Sequence, residues 1–207
     1  MLATALAVGA LLAGPGTFSP HVTNPYLPFE PGMRWVYRGV DGGREARDVV
    51  TVDARTETID GVACAVVRDR VFLDGRLAED TLDFYAQDAG GTVWYFGEDT
   101  KELDRHGRVR STEGSWRAGV DGARPGIVMP RRARVGQRFE QEHYPGHAED
   151  RFKVVTAEAT ALLTEEWTPL EPGVREHKWY VRGVGMIAAV VTKGPREHSD
   201  LVSFKRP

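Results

Sequence analysis

Residues 81–103, TLDFYAQDAGGTVWYFGEDTKEL, constrain the fold of this chain more than any other stretch. The pattern predicts a β-hairpin with strands over residues 81–87 and 92–96, joined by a short connection that contains two glycines. Bulky side chains fall on both faces of each strand, as Phe84 and Tyr85 do in the first. A strand with water on one face would alternate between apolar and polar residues, so we expect protein to pack against both faces of this hairpin.

Turn signals recur around the hairpin about every ten to fifteen residues, with no helical periodicity between them. The sequences DGG at 41–43, DG at 60–61 and DG at 74–75 are typical of tight connections between antiparallel strands. Strand patterns resume in the last third of the chain, which gives about nine to eleven strands in all. The sequence therefore predicts an all-β or mostly β fold, in which a curved antiparallel meander closes into a barrel or half-barrel.

Residues 111–135 break this pattern. They contain four glycines, two prolines and no sustained alternation. Irregular segments of this length inside a compact domain are usually lids or binding loops, and Trp116 argues against disorder. We predict a long lid-like loop that folds over the sheet or the mouth of a barrel. Further along, residues 160–168 fit either a short strand or a short helix.

The first residues have the features of a signal peptide. Residues 2–13 form a largely apolar run, followed by small residues and a Gly-Pro-Gly break. The run is too short to span a bilayer and has the length of a signal-peptide core, although no positive charge precedes it. We predict a signal peptide over residues 1–19, a single barrel-like domain over residues 20–207, and an exported protein. The alternative is a cytoplasmic protein whose N-terminal segment is not a signal.

Composition limits the partners. The formal net charge of -3, without a basic stripe, gives no electrostatic basis for binding nucleic acid. No apolar run is long enough for a membrane span. The single cysteine, Cys64, lies in an apolar run, so we expect a buried thiol. Because no cysteine lies near the N-terminal apolar run, we do not expect a lipid anchor. No Gly-rich phosphate loop, nucleophile elbow or His-Glu-x-x-His helix is present, and we predict no cofactor.

Two motifs near the ends of the predicted domain resemble a group of uncharacterised bacterial exported proteins. The first is N-P-Y-x-P-L-x-P-G-x-x-W-x-Y, matched here by Asn24, Pro25, Tyr26, Pro28, Pro31, Gly32, Trp35 and Tyr37. The second is an aromatic pair leading to G-V-G, matched by Trp179, Tyr180, Gly183, Val184 and Gly185. The resemblance implies a curved antiparallel sheet or barrel, loosely like lipoprotein-carrier folds, and it carries over no catalytic residues.

Residues 140–150, EQEHYPGHAED, hold the densest set of candidate metal ligands and acid/base groups. His143 and His147 flank a Pro-Gly turn and, with Glu142 nearby, could bind a divalent metal; an ordinary polar turn is the alternative. Asp83 and Tyr85 share one face of the first hairpin strand. If that face points into a barrel, their pKa values would be shifted and they could orient a ligand or transfer a proton; if it meets solvent, they have no such role.

Three functions fit these features. An exported, non-catalytic barrel could hold an apolar or amphiphilic small molecule, or an envelope partner, in a cavity lined by Trp35, Tyr85, Trp94, Phe96 and Trp116. An enzyme on the same barrel, such as a cyclase, isomerase or hydrolase, could use Asp83, Tyr85, Glu142, His143 or His147 as acid/base groups. A structural envelope protein would have no pocket. The sequence does not indicate an oligomeric state.

Overall fold

The computed structural model describes residues 18–207, so the predicted signal peptide lies almost entirely outside the described residues. Within residues 18–207 the regular structure is β-strand, with no helix. The strands are β1 (Phe18–Ser19), β2 (Arg34–Asp41), β3 (Arg44–Ile59), β4 (Val62–Leu73), β5 (Arg76–Asp88), β6 (Val93–Leu103), β7 (Val109–Ser111), β8 (Trp116–Arg117), β9 (Arg124–Met129), β10 (Arg138–Glu140), β11 (Glu142–His143), β12 (Arg151–Ala157), β13 (Ala161–Trp167), β14 (Arg175–Val181), β15 (Gly185–Lys193) and β16 (His198–Lys205).

Thirteen of the strands form an antiparallel sheet in the order β10-β12-β13-β14-β15-β16-β2-β3-β4-β5-β6-β9-β11, and the other three join it by pairing with its members: β1 pairs with β5, and β7 and β8 pair with β6. Strands that follow each other in the chain are mostly neighbours in the sheet, as in a meander. The predicted central hairpin corresponds to β5 and β6. Sixteen strands are present instead of about nine to eleven, and the additional ones are short: β1, β8 and β11 have two residues each.

The two ends of this sheet meet at Gln141. That residue alone separates β10 from β11; β10 pairs with β12 at one end of the order, and β11 pairs with β9 at the other. One short, interrupted stretch therefore belongs to both edges, and the sheet is nearly closed into a barrel. The predicted fold class is confirmed.

A glycine in β9 permits this closure. A side chain at Gly126 would place its Cβ 2.3 Å from the carbonyl oxygen of Gln141 and 2.5 Å from that of Glu140. Two backbones approach this closely only where no side chain separates them. We refer to the contact between Gly126 and residues 140–141 as the seam.

The segment predicted to be an irregular lid, residues 111–135, is more regular than its sequence indicates. It contains β8 and β9, which both pair with β6, so it forms part of the barrel wall as well as connecting loops. Pro125 and Gly126 interrupt the alternation by which a strand is recognised, while the pairing partners lie far away in the sequence. Residues 160–168 contain the strand β13, not a helix.

β5 and its neighbour β4 have apolar residues packed on both faces, as the hairpin pattern predicts for β5. On one face, Val67 and Tyr85 belong to an apolar cluster inside the barrel. Val66 and Phe84, each one residue before a member of that cluster, are buried with Cys64 in a second cluster on the opposite side of the same strands. The predicted burial of the cysteine is confirmed.

Residues 22–33, which we call the N-terminal plug, lie across one end of the lumen. Side chains of the plug hydrogen-bond to backbone carbonyls in connections at this end of the barrel, and one plug carbonyl accepts a bond from a fourth connection. These bonds are Asn24 Nδ2 to the carbonyls of Gly91 (2.9 Å) and Pro130 (3.3 Å), the Tyr26 hydroxyl to that of Glu158 (2.7 Å), and the Gly183 N–H to that of Pro25 (2.6 Å). The plug thereby ties together loops that are distant in the sequence.

Gly126→Ala tests the seam. Because the new Cβ would overlap backbone atoms that cannot rotate away, we expect the free energy of unfolding to fall by about 3 kcal/mol or more. The matched control is Gly173→Ala, since nothing lies within 4 Å of a Cβ at that position, and a change within about 0.5 kcal/mol is expected. Urea unfolding followed by tryptophan fluorescence measures both variants, and equal stability would contradict a tight seam.

Candidate functional site

A cavity of about 220 Å³ lies inside the barrel. Seven strands, the seam and the N-terminal plug contribute to its wall, so it occupies the lumen and not a surface groove. We call it the lumen cavity. Its lining residues are Leu27, Pro28, Phe29, Trp35, Tyr37, Val50, Val67, Asp69, Asp83, Tyr85, Val128, Gln141, Lys178, Tyr180, Gly185 and Met186.

Larger depressions lie on the outer surface. One of about 550 Å³, beside Arg131 and Arg132, is open to solvent, and none of the site residues predicted from the sequence lines it. Enclosure by protein is what allows a site to desolvate a ligand and strengthens its polar contacts. The lumen cavity is therefore the candidate functional site.

Aromatic rings form one side of the lumen cavity. Phe29 contacts Trp35 edge to face, with ring centroids 6.2 Å apart, and Tyr85 at 4.9 Å. The Trp35 indole N–H donates to the Val184 carbonyl oxygen at 2.7 Å, and the Tyr37 hydroxyl donates to another backbone carbonyl at 3.0 Å. Because these polar atoms bond to the backbone, the rings present apolar surface to the cavity.

An ion pair lies in the polar part of the wall. Lys178 Nζ is 2.8 Å from Glu166 and 3.3 Å from Glu176. Glu166 also accepts hydrogen bonds of 2.9 Å from Gln141 Nε2 and from the Thr164 hydroxyl. Burial alone would raise the pKa of Glu166, but Lys178 outweighs burial and holds that pKa below its usual value. The charge of Lys178 is therefore matched by carboxylates within the wall.

Two carboxyl groups from neighbouring strands, Asp48 of β3 and Asp69 of β4, lie beside each other. Burial, together with the nearby Asp69, raises the pKa of Asp48 to about 10, and burial also raises the pKa of Asp69. One oxygen of each carboxyl is buried with no hydrogen-bond partner among residues 18–207. Carboxyl groups this close in a desolvated wall retain at least one proton between them at neutral pH.

A third carboxyl, Asp83, is bonded to a phenol. Its Oδ1 accepts a hydrogen bond of 2.6 Å from the Tyr95 hydroxyl, and the Tyr95 ring stacks on Tyr85 with centroids 4.8 Å apart. Burial raises the pKa of Asp83 well above its usual value, and the nearby Asp69 raises it further. Asp83 and Tyr85 thus both line the cavity, as one of the sequence alternatives required, but the hydroxyl that contacts Asp83 belongs to Tyr95.

Two further acids lie near the seam. Burial, with Asp150 and Glu98 close by, raises the pKa of Glu142 to about 8. Burial also raises the pKa of Glu98 to about 7. Within residues 18–207, no group of three or more His, Cys, Asp or Glu side chains has an arrangement that could hold a metal ion.

Of the five aromatic residues predicted to line a cavity, Trp35 and Tyr85 line the lumen cavity. Trp116 packs edge to face against Tyr95, with centroids 5.5 Å apart, outside the lining. Trp94 and Phe96 lie on the opposite face of β6, where both contact Phe18. They sit one position away from Tyr95, and neighbouring residues in a strand point to opposite faces.

The candidate ligands of residues 140–150 do not converge. His143 Nδ1 is 2.7 Å from Glu140, and the same ring contacts Arg124. His147 stacks on Tyr144 with ring centroids 4.3 Å apart. Neither histidine lines the lumen cavity, nor does Glu142.

The sequence gives no indication of four polar residues of the lumen, Asp48, Asp69, Glu166 and Lys178. Asp69 lies between two arginines, and Lys178 follows Glu176 and His177, so both segments look like solvent-exposed strands. The usable signal is spacing, since Asp69 follows Val67 at a two-residue step and so shares its face.

No protein-family model matches the chain, and no curated protein matches it in sequence. Two solved structures are similar in fold. One is a Bacteroides fragilis protein with a YmcC-like fold, proposed to be exported, with 13% identity and a TM-score of 0.48 over 87% of this chain and 99% of that chain. The other is a proposed lipoprotein of Parabacteroides distasonis, with 11% identity and a TM-score of 0.45 over 88% of this chain and 99% of that chain. The assignment of an antiparallel barrel rests on the strand pairing of this chain itself.

Residues 18–207 contain no helix with the length and apolar character needed to cross a bilayer.

Lys178→Met tests the ion pair of the lumen. The substitution leaves Glu166 charged and without its cation, so we expect the free energy of unfolding to fall by about 3 kcal/mol. Combining it with Glu166→Gln removes both charges, and we expect the double variant to recover most of the lost free energy of unfolding. Lys193→Met, at an exposed position, serves as the control. If the single and double variants were equally unstable in urea, a role for the pairing itself would be refuted.

The raised pKa values predict how stability depends on pH. Glu98 and Glu142 have pKa values of about 7 and about 8 in the folded chain, above the ordinary 4.5, so in this window the folded state binds more protons than the unfolded state. Their contribution is present in full below about pH 4.5 and is lost as the pH rises through the folded values. We expect the free energy of unfolding to fall from about pH 5 to about pH 8.

Glu142→Gln isolates one of these groups. The amide does not titrate, so the slope should decrease and the variant should be more stable than the parent at about pH 9, by on the order of 2 kcal/mol. Glu171→Gln, at an exposed position, should leave the slope unchanged. Urea unfolding at several pH values measures all three proteins, and a parent whose stability rises over this range would contradict the burial of these acids.

Proposed function

We propose that this chain is an exported, non-catalytic barrel protein that holds a small amphiphilic molecule in the lumen cavity. The observation that carries the proposal is the division of the wall: Phe29, Trp35 and Met186 offer apolar surface, while Asp69 and Asp83 offer polar groups. A concave, mainly apolar wall with a few convergent polar groups is the usual form of a small-molecule site. A purely structural barrel would need no such space and could fill its lumen with side chains.

The volume sets the size of the ligand. About 220 Å³ corresponds to roughly seven water molecules at about 30 Å³ each, and it lies below the range of about 300–1,000 Å³ for drug-sized ligands. We therefore propose a ligand of roughly seven to ten non-hydrogen atoms.

Export is supported by the apolar run of residues 2–13 and the small residues that follow it. We also propose that the chain belongs with the uncharacterised exported proteins whose N-terminal motif it resembles. Several residues of that motif have a role here that concerns the cavity directly: Asn24 and Tyr26 hold the N-terminal plug, and Trp35 lines the lumen.

An enzyme is the second candidate, and the bond between Asp83 and Tyr95 favours it. A carboxyl group with a raised pKa that is bonded to a phenol could exchange a proton with a small substrate in the same cavity. The other predicted acid/base groups Glu142, His143 and His147 lie outside the lining, which leaves Asp83 and Tyr85 as the predicted pair. If the chain is an enzyme, the variant Asp83→Asn should still bind the substrate but no longer turn it over.

Binding of hexan-1-ol tests the proposed function, since this alcohol has a size suited to the cavity and both an apolar and a polar end. Isothermal titration calorimetry should detect binding to the parent. Val50→Trp places a large ring in the cavity and should abolish binding, whereas Val202→Trp, at a position 55% exposed, should not. Thermal unfolding checks that each variant is folded.

Native mass spectrometry of protein purified from its own host provides the second measurement. A retained small molecule that is lost in Val50→Trp would support the proposal. The absence of any retained molecule, together with hexan-1-ol binding that is undetectable or indifferent to Val50→Trp, would reject it.

A further inference from the structure

The wall of the lumen cavity holds more carboxyl groups than cations. Asp69 and Asp83 both line it, and among the described lining residues the one cation is Lys178. Lys178 is already engaged, at 2.8 Å from Glu166 and 3.3 Å from Glu176. The carboxyl groups of Asp69 and Asp83 therefore have no positive partner of their own in this wall.

Their local contacts leave capacity for a donor. Asp83 accepts one hydrogen bond, from Tyr95, although a carboxyl group has two oxygens and several acceptor positions. Asp69 lies beside Asp48, with which it shares a proton, and one buried oxygen of each carboxyl has no other donor among residues 18–207. A buried carboxyl group is stable only when it keeps a proton or receives a cation.

The aromatic side of the cavity suits a cation as well. Five aromatic residues line it: Phe29, Trp35, Tyr37, Tyr85 and Tyr180. The faces of such rings carry negative electrostatic potential and attract ammonium groups within about 6 Å, most strongly where water is excluded. Aromatic faces combined with carboxyl groups are the chemistry by which proteins recognise organic ammonium ions.

A depression beside the lumen cavity is also lined by more acidic than basic residues. This depression of about 180 Å³ shares Tyr37 with the lumen cavity and lies toward the strand turns opposite the N-terminal plug. Four acidic residues line this depression, against Arg38 and His198. The acidic residues are Asp41, Asp48, Glu176 and Glu197, of which Asp48 keeps its proton at neutral pH. Negative charge beside the cavity raises the local concentration of cations and lowers that of anions.

We propose that the lumen cavity binds a small primary ammonium ion with an apolar tail, its charged end between Asp69 and Asp83 and its tail against the aromatic rings. This inference rests on the proposed function, because it names the ligand class of the same cavity. A fatty-acid anion of equal length would gain no ion pair from Asp69 and Asp83, and Lys178, the cation of this wall, is already paired with Glu166 and Glu176, so we expect the anion to bind more weakly.

Binding of the ammonium ion is coupled to release of a proton. In the free protein a carboxyl group of the wall holds a proton, as its burial requires. When the ammonium ion enters, the carboxyl O–H bond breaks, the proton passes to the solvent buffer, and the carboxylate pairs with the ammonium ion. One positive charge enters and one leaves, so the wall and the bound ammonium ion together carry the same net charge as the free wall.

Three probes with the same six-carbon tail test the inference: hexylammonium, hexan-1-ol and hexanoate. Isothermal titration calorimetry near neutral pH should give hexylammonium an affinity at least about tenfold above that of hexan-1-ol, as one desolvated ion pair adds about 1.4 kcal/mol or more. Hexanoate should bind more weakly than hexan-1-ol. Titrations in two buffers with different ionisation enthalpies should show proton release with hexylammonium and none with hexan-1-ol.

Asp69→Asn and Asp83→Asn locate the charged end. Each should reduce the affinity for hexylammonium and, with both probes measured on the same variant, bring the ratio of the hexylammonium affinity to the hexan-1-ol affinity toward one. Asp200→Asn, on an exposed acid of β16, should change neither. Either aspartate variant alone suffices, so a folding failure of one leaves the other as the test.

The outcomes separate this inference from the proposed function. The ammonium inference is overturned if hexan-1-ol binds and hexylammonium binds no more tightly. It is also overturned if both aspartate variants still bind hexylammonium more tightly than hexan-1-ol. In either case a lumen site for neutral amphiphiles stands. Stronger binding of hexanoate would likewise overturn the ammonium inference. If none of the three probes binds and no molecule is retained from the host, the proposed function falls as well.

Discussion

The closure of the sheet at Gln141 is the contact on which the lumen cavity depends. The backbone of this residue joins β10 to β11, and Gly126 allows β9 to approach it. Its side chain donates to Glu166, which in turn is paired with Lys178. Opening the seam would remove a hydrogen bond from a buried carboxylate, and removing the ion pair would leave the Gln141 amide without its acceptor. The wall and the polar network inside it therefore stabilise each other.

The chain ends complete the same enclosure. β2, near the start of the described chain, pairs with β16, the last strand, so the barrel closes only when both are in place. The indole of Trp35 bonds to the Val184 carbonyl, and the Gly183 N–H bonds to the Pro25 carbonyl. The two sequence motifs near the ends of the domain thus meet across one end of the lumen. Contacts of such large sequence separation make the enclosure a property of the whole chain.

The long strands of the wall were predictable from the sequence because the signals for the turns between them are local. At residues 60–61 and 74–75, an Asp and a Gly take up positive φ angles, which these residue types tolerate and most others do not. Once these turns are located, the long strands between them can be assigned from the sequence. β9 could not be predicted, because Pro125 and Gly126 hide its alternation and its partners come from β6 and β11.

The site is less predictable than the wall for a specific reason. Alternation shows that Tyr95 and Phe96 face opposite ways, but it does not show which face is the lumen. That choice is made by closure of the barrel, which is a long-range event. The sequence therefore grouped Trp94 and Phe96 with Trp35 and Tyr85, although the first two lie on the other side of the sheet. The position of Lys178 in the lumen could not be predicted for the same reason, since a charged residue in a strand normally indicates the solvent face.

The contrast between the two faces of β4 and β5 bears on why the lumen is polar. On the outer face, Cys64, Val66 and Phe84 form an apolar cluster of the kind that stability alone favours. On the inner face of the same strands, the half-buried Asp69 and Asp83 have pKa values that desolvation raises, and such groups reduce stability at neutral pH. Well-packed apolar residues in place of a buried ion pair are often neutral or stabilising, so packing does not require charges in this lumen. These costs are concentrated around one cavity and absent from the apolar cluster behind it, which is the distribution that the proposed ligand site requires.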